Sequence, residues 1–201
     1  SKMSIITPSG KSLVYDFDGY VLNRVAHDEA LVELAKSKGA KFITNSFVED
    51  ITDNQVKIRN GDTYTAKVIV GSGGHNDPLR RKFWKEKSVN IPVKFELKQG
   101  NYGENVELHF GSMAPGGYAW VFPKNEGANI GLGIQKSFSK GRSLNKYATE
   151  FIDNYDGKTD FKGAGSLPMS GTIKKFVKGN YVLVGDAAGM VLPSNGAGIT
   201  I

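Results

Sequence analysis

The sequence predicts a mixed α/β chain of the α+β kind, and three observations carry that reading. Early in the chain, Ala26, Ala30, Leu31, Leu34 and Ala35 recur at the spacing of a surface helix. From about Ile91 apolar and polar residues alternate through long stretches without intervening helices, as in Val93-Lys94-Phe95-Glu96-Leu97-Lys98, the pattern of an antiparallel sheet with one apolar face. Near the end, the apolar run Val182-Leu183-Val184 meets Gly185-Asp186 and a glycine-rich loop. A buried strand there delivers an acid to the carboxyl edge of an α/β sheet, where such sheets bind ligands. These shifts divide the chain into a first domain over 1–90, an antiparallel-sheet domain over 91–175, and a return to the first domain over 176–201.

The first region reads as a strand at 12–15, a turn at 16–19 and a strand at 20–22. The helix is expected over 25–38, with Asp28 and Glu29 in its early turns, Lys36 and Lys38 near its end, and Gly39 as its stop. Strands at 41–44, 47–51, 55–59 and 62–65 follow as a small meander, with Asp53-Asn54 and Asn60-Gly61 as turn residues. The strand at 67–70 then runs into Gly71-Ser72-Gly73-Gly74. In the second region, strands at 93–98, 106–110, 118–123 and 129–135 build the sheet, a helix is expected over 144–155, and glycine-rich turns over 163–171 lead to the closing strand.

Composition sets the outer limits. The chain has 201 residues, 39% of them hydrophobic and 23% charged, as in an ordinary globular protein. No apolar run is long enough for a membrane-spanning helix, and Ser1-Lys2-Met3-Ser4 lacks the apolar core of a secretory signal, so a cytoplasmic protein is expected. The absence of cysteine rules out disulfides and thiolate chemistry. A net charge of +6 suits either a solvated mixed surface or contact with an anionic membrane face; the densest basic cluster is Arg80-Arg81-Lys82 with Lys85 and Lys87. His27, His75 and His109 lack metal-ligand spacing. Nucleic-acid-binding patterns are missing, and no nucleic-acid partner is expected.

Two constellations carry chemistry. In Pro115-Gly-Gly-Tyr118-Ala-Trp120-Val-Phe122-Pro123, residues two apart share a strand face, so Tyr118, Trp120 and Phe122 line up as one aromatic wall. Spacing alone suits both core packing and a wall for a long apolar substrate. In the closing segment, Asp186 can accept hydrogen bonds from hydroxyl groups. Pro193 and the loop Gly196-Ala197-Gly198 lead toward an apolar helix start, whose free N–H groups would favour an anionic ligand atom.

The second constellation, read as Gly185-Asp186-Ala187-Ala188, Pro193 and Gly196-x-Gly198, resembles the GD motif of FAD-dependent oxidoreductases with the p-hydroxybenzoate hydroxylase fold. The first resembles the PxxYxWxFP motif of the geranylgeranyl reductase family. Phe110-Gly-Ser-Met-Ala, Lys124-Asn-Glu-Gly-Ala-Asn-Ile-Gly131-Leu-Gly133 and Tyr20-Val-Leu-Asn-Arg24 are similar to that family too, so the likeness runs from about Tyr20 to Ile201. It implies part of an FAD/NAD(P)-binding domain carrying a β-meander, plus a substrate domain. It also implies an FAD site formed by Arg24, Gly74, Asp186, Gly196, Ala197 and Gly198, and a lipid cavity lined by Tyr118, Trp120 and Phe122.

Val70-Gly-Ser-Gly-Gly-His-Asn-Asp-Pro-Leu-Arg80 resembles the DG motif with one departure: Gly73 stands where the motif has Asp, while Gly74 and Arg80 match. No GxGxxG loop occurs, so the chain is expected to be an internal piece of a longer reductase. The implied activity is reduction of C=C bonds in geranylgeranyl chains of membrane lipids, with NAD(P)H or a reduced carrier as electron donor and peripheral contact at the inner membrane face. A flavin monooxygenase or halogenase on the same fold, or a non-catalytic lipid-binding fragment, is the alternative.

Overall fold

The computed structural model describes residues 2–16, 18–59, 61–86 and 88–199. Phe17 in the turn at 16–19, Asn60 of the Asn60-Gly61 turn, Lys87 of the basic cluster and the helix start expected beyond Gly198 at 200–201 lie outside them. In chain order the elements are β1 (Lys2–Ile6), β2 (Ser12–Asp16), α1 (Arg24–Ser37), β3 (Val48–Thr52), β4 (Gln55–Ile58), β5 (Thr63–Thr65), β6 (Ile69–Gly71) and α2 (Pro78–Phe83). There follow β7 (Asn90–Gln99), β8 (Val106–His109), β9 (Tyr118–Lys124), β10 (Gly127–Gly133), α3 (Leu144–Ile152), β11 (Thr159–Pro168), β12 (Val177–Lys178) and β13 (Tyr181–Leu183). Two compact units result, one from residues 1–21 with 90–167 and the other from 22–89 with 168–201.

The first unit is a seven-stranded sheet in the order β11-β7-β10-β9-β8-β1-β2. The neighbours β7, β10, β9 and β8 pair antiparallel, as the alternation requires, and β1 joins β8 in parallel. Strand β1 was not foreseen, and it draws the first residues of the chain into this sheet, away from the helix and meander that follow them in sequence. One sheet face is closed by α3, whose first turn is capped by Ser143 accepting the Lys146 N–H at 3.3 Å. Tyr147, Ala148, Phe151 and Ile152 on the inner side of α3 pack with Ala119, Val121, Ile130 and Leu132 as a dry core. The helix ends at Ile152, three residues earlier than expected, in a turn where the Asp153 and Tyr155 N–H groups bond back to Thr149 and Ile152.

The glycines at 163 and 165, read as turn residues, lie inside strand β11. A side chain at Gly163 would run into the ring of Phe95, so the glycine makes room for an aromatic ring laid over it. Glu96, in β7, is buried and ties to β11 by accepting the Thr159 hydroxyl at 2.8 Å and pairing with Lys162 at 2.9 Å.

The second unit holds α1, the meander β3-β4-β5, and a three-stranded sheet in the order β12-β13-β6, where β13 runs parallel to β6. Helix α1 begins at Arg24 because the Asn23 side chain accepts the Ala26 N–H, and it presents no buried residue. Residues 20–22 and 41–44, expected as strands, form none: neither finds a ladder partner among the described residues, and Tyr20 is 94% exposed. Their apolar content alone does not make a strand. The core of this unit gathers Ile51, Ile69, Leu79, Trp84, Leu183, Ala187 and Ala188 under the loops that leave β6 and β13. Arg80 of the basic cluster is buried there, and Lys82 pairs with Asp50 at 2.5 Å, so those two do not form a free basic patch.

Candidate functional site

The parallel strands β6 and β13 end side by side, with Leu183 opposite Gly71 and the Val184 N–H donating to the Gly71 carbonyl at 3.0 Å. Beyond β6, residues 74–76 form a tight 3-10 turn; beyond β13, Gly185–Ala188 forms another, and the two turns pack together. Each uses glycine in the left-handed region: Gly74 at φ +75° opens the first, while Gly185 at φ +57° opens the second and Gly189 at φ +71° ends it. Gly74 and Asp186, far apart in sequence, are thereby brought to neighbouring turns at one carboxyl edge.

Asp186 is partly exposed, and among the described residues its carboxylate receives no hydrogen bond. The loop that follows folds back on it. Leu192 and Ala197 are tied by an N–H to carbonyl bond of 2.8 Å, and a Cβ placed on Gly198 would stand 3.5 Å from Asp186 Oδ1. Gly196 at φ +76° closes that loop. Thus Asp186, Gly196, Ala197 and Gly198 form one cradle in which an acceptor carboxylate has its capacity unfilled. Arg24 is occupied elsewhere: its guanidinium makes a two-point contact with Asp28, at 3.2 and 2.9 Å, on an exposed turn of α1.

The sequence reading named Arg80 only within the basic cluster and as a motif match, and it passed over Asp77. Asp77 is 3% exposed and caps α2, while Arg80, 6% exposed, donates to the Ala187 carbonyl at 2.6 Å and so ties the first loop to the second. Asp77-Pro78 at the head of a helix was a legible capping signal. That the arginine reaches residue 187 was not.

In the other unit, the aromatic wall lies on the sheet face opposite α3. Tyr118, Trp120 and Phe122 are half-buried, whereas Ala119 and Val121 between them supply the core. Core packing under α3 is therefore the work of the alternate residues. Ring centroids of Phe110, Tyr118, Trp120 and Phe122 follow one another at 5.9 Å, a continuous aromatic row. The Trp120 ring is fixed from two sides. Its Nε1 donates to Asn129 Oδ1 at 2.8 Å, and a Cβ at Gly131, directly across the ladder, would come within 2.6 Å of the ring. Burial pushes the Tyr118 phenol above its ordinary value, which keeps it protonated.

A fold with these parts is shared with flavin-dependent reductases, halogenases and monooxygenases. Solved structures bear this out for the fold: the flavin-dependent brominase Bmp2 superposes over 96% of this chain and 56% of its own at TM-score 0.70 and 16% identity. A geranylgeranyl bacteriochlorophyll reductase-like protein from Thermoplasma acidophilum superposes over 98% of this chain and 57% of its own, with TM-score 0.85 and 28% identity.

Within that class the chain is similar in sequence to members of the geranylgeranyl reductase family. Residues 89–166 match the geranylgeranyl reductase catalytic domain. Digeranylgeranylglycerophospholipid reductase 1 of Methanococcoides burtonii is 33% identical over the whole of this chain and 55% of its own length. The corresponding reductase of Methanocaldococcus jannaschii is 31% identical over 97% of this chain and 56% of its own. The chain thus spans about half the length of the curated relatives it matches. No helix among the described residues is long and apolar enough to cross a membrane.

Proposed function

We propose that the full-length protein is an FAD-dependent reductase of isolated C=C bonds in geranylgeranyl chains of membrane lipids, of the digeranylgeranylglycerophospholipid type. The observation that carries this reading is the aromatic row Phe110, Tyr118, Trp120 and Phe122, lying inside the matched catalytic domain on the face that α3 leaves open. An isoprenoid chain offers no charge to hold, so the protein must orient it by apolar contact along its length. A row of rings, with Trp120 locked by Asn129 and Gly131, provides such contact with little ordering left to do.

The cradle of the other unit fits a flavin nucleotide. Asp186 has unfilled acceptor capacity for sugar-chain hydroxyls, and a Cβ built on Gly185 meets nothing within 4 Å, so backbone is open beside it. A Cβ built on Gly74 meets nothing within 4 Å, so that turn presents bare backbone to a ligand. FAD, when bound and reduced, supplies the hydride that an alkene accepts. Arg24 would join this site by leaving Asp28, an exposed and screened pair that offers little resistance. Tyr118, protonated and ending the PxxY segment, is the wall's own ionisable group and a donor for the proton that must accompany hydride. The electrons come from NAD(P)H or a reduced carrier, and a lipid substrate brings the +6 chain to an anionic membrane surface.

The test uses the full-length protein with its flavin and a digeranylgeranyl lipid, following saturation of the chains by mass. Trp120→Ala is expected to lower turnover by at least about tenfold while leaving bound flavin unchanged. Equal turnover in the variant sinks the assignment of this face, and oxygen-dependent hydroxylation in place of saturation would mark a monooxygenase.

A further inference from the structure

The Gly73 departure and the buried Asp77 stand in one place. Asp77 Oδ2 accepts the Gly73 N–H at 2.8 Å, and Oδ1 accepts the Arg80 N–H at 3.0 Å. Both carboxylate oxygens therefore hold backbone, and the group is turned inward at 3% exposure. The glycines above it leave room for nothing else: a Cβ on Gly73 would lie 2.9 Å from Asp77 Oδ2, and one on Gly71 would lie 2.6 Å from Oδ1 and 2.8 Å from Leu183 Cδ2. An aspartate at 73, itself an exposed position, would set a second carboxylate beside the buried Asp77 carboxylate, which is unfavourable. On the outer side, Gly74 at φ +75° is open.

We propose that glycine at 73 and aspartate at 77 are two halves of one exchange, in which Asp77 takes over the holding of this loop from beneath and is a positioning residue for the cofactor. The connection to the proposed cofactor cradle is short and runs through one hydrogen bond. Asp77 sets the start of α2, α2 presents Arg80, and the Arg80 guanidinium holds the Ala187 carbonyl, one residue from Asp186. Among the described residues no carboxylate forms an ion pair with Arg80, so its main anchor is that carbonyl. Loosening Asp77 therefore shifts both loops at once. The claim rests on the flavin reading above for the identity of the ligand, and on geometry alone for the exchange.

The experiment compares full-length wild type with Asp77→Ser, Gly73→Asp and the double exchange, measuring FAD affinity of the apoprotein and its melting temperature without flavin. Asp77→Ser is expected to weaken FAD on the order of tenfold, because one hydroxyl oxygen can cap α2 but cannot also reach the Gly73 N–H, and the loop before the helix loosens. Gly73→Asp alone is expected to lower both affinity and melting temperature. Adding Asp77→Ser to it is expected to recover both, since the second carboxylate is then gone and the first has space. An Asp77→Ser protein that melts lower but binds FAD as wild type does reduces Asp77 to a structural cap and overturns the positioning role. A double variant no better than Gly73→Asp overturns the exchange, and it decides the matter alone if Asp77→Ser does not fold. If the wild type itself takes up no flavin, the flavin reading and with it the positioning role fail. The exchange is then judged separately by whether the double variant melts above Gly73→Asp.

Discussion

The two faces of strand β9 differ in kind. One carries Ala119 and Val121, buried in the core that α3 shares; the other carries Tyr118, Trp120 and Phe122, whose rings remain half-open. The small and branched residues sit where a helix must come close, and the large flat ones where it does not. Since successive strand residues point to opposite sides, one seven-residue segment both holds the unit together and offers an apolar surface. The core face is rigid because it is packed. The aromatic face owes its order to ring-on-ring contact, to the Asn129 bond to Trp120, and to the glycine under the indole.

The contrast can be broken by substitution, and the core face is expected to respond most. Ile130→Ala, at a fully buried position under α3, is expected to cost about 3 kcal/mol, read as a lower denaturant midpoint. Gly131→Ala forces its Cβ against the Lys94 carbonyl and the Trp120 ring; a loss of about 2 kcal/mol is expected, with a shift in tryptophan emission as the indole tilts. Trp120→Ala removes two ring contacts and one hydrogen bond from a half-open face, and about 1 kcal/mol is expected from the same measurement. If Trp120→Ala costs as much as Ile130→Ala, the distinction between the faces fails.

Glu96 gives the smallest effect and a pH signature. Burial pushes its carboxyl up, but hydrogen bonds from Lys162 and Thr159 outweigh this and hold it below the ordinary 4.5. A carboxyl with a folded pKa below its unfolded one stabilises fully above the unfolded value, and that contribution fades as pH falls through the folded value. Glu96→Gln is therefore expected to lose less than about 1 kcal/mol at neutral pH, Lys162 being well exposed. The gap to wild type should close on acidification below 4.5 in melting curves. A gap that widens in acid would reverse the sign of the assignment.

Alternation made β9 readable because one of its faces is buried and the other is not, whereas helical spacing located α1 although that helix buries no residue. Strand β11 was hidden by its glycines, which look like turn residues until Phe95 is seen to cover one of them. Residues 20–22 and 41–44 looked like strands and are not, since a ladder needs a partner that local sequence does not specify. The capped start of α1 also shows why Arg24 sits on a helix: Asn23 takes up the N-cap position, and the helix begins one residue before its expected place. The candidate cradle around Asp186 was half legible. Its glycines and Asp186 could be named from the motif they resemble, and the cap at Asp77 is local; the Arg80 bond to Ala187, 107 residues away, exists only once the chain is folded.

The sequence by itself determined the chemistry on offer: an aromatic row at every second residue, an acid after a short apolar strand, glycines at the turns that need them, and a family likeness carried by those residues. Only the tertiary structure decided which face of β9 is core and which is open, that β6 and β13, over a hundred residues apart, end together, and that a buried aspartate fills the space left by Gly73. Periodicity and turn chemistry are local properties of a chain. Strand partners, and the exclusion of one side chain by another, depend on what arrives from elsewhere.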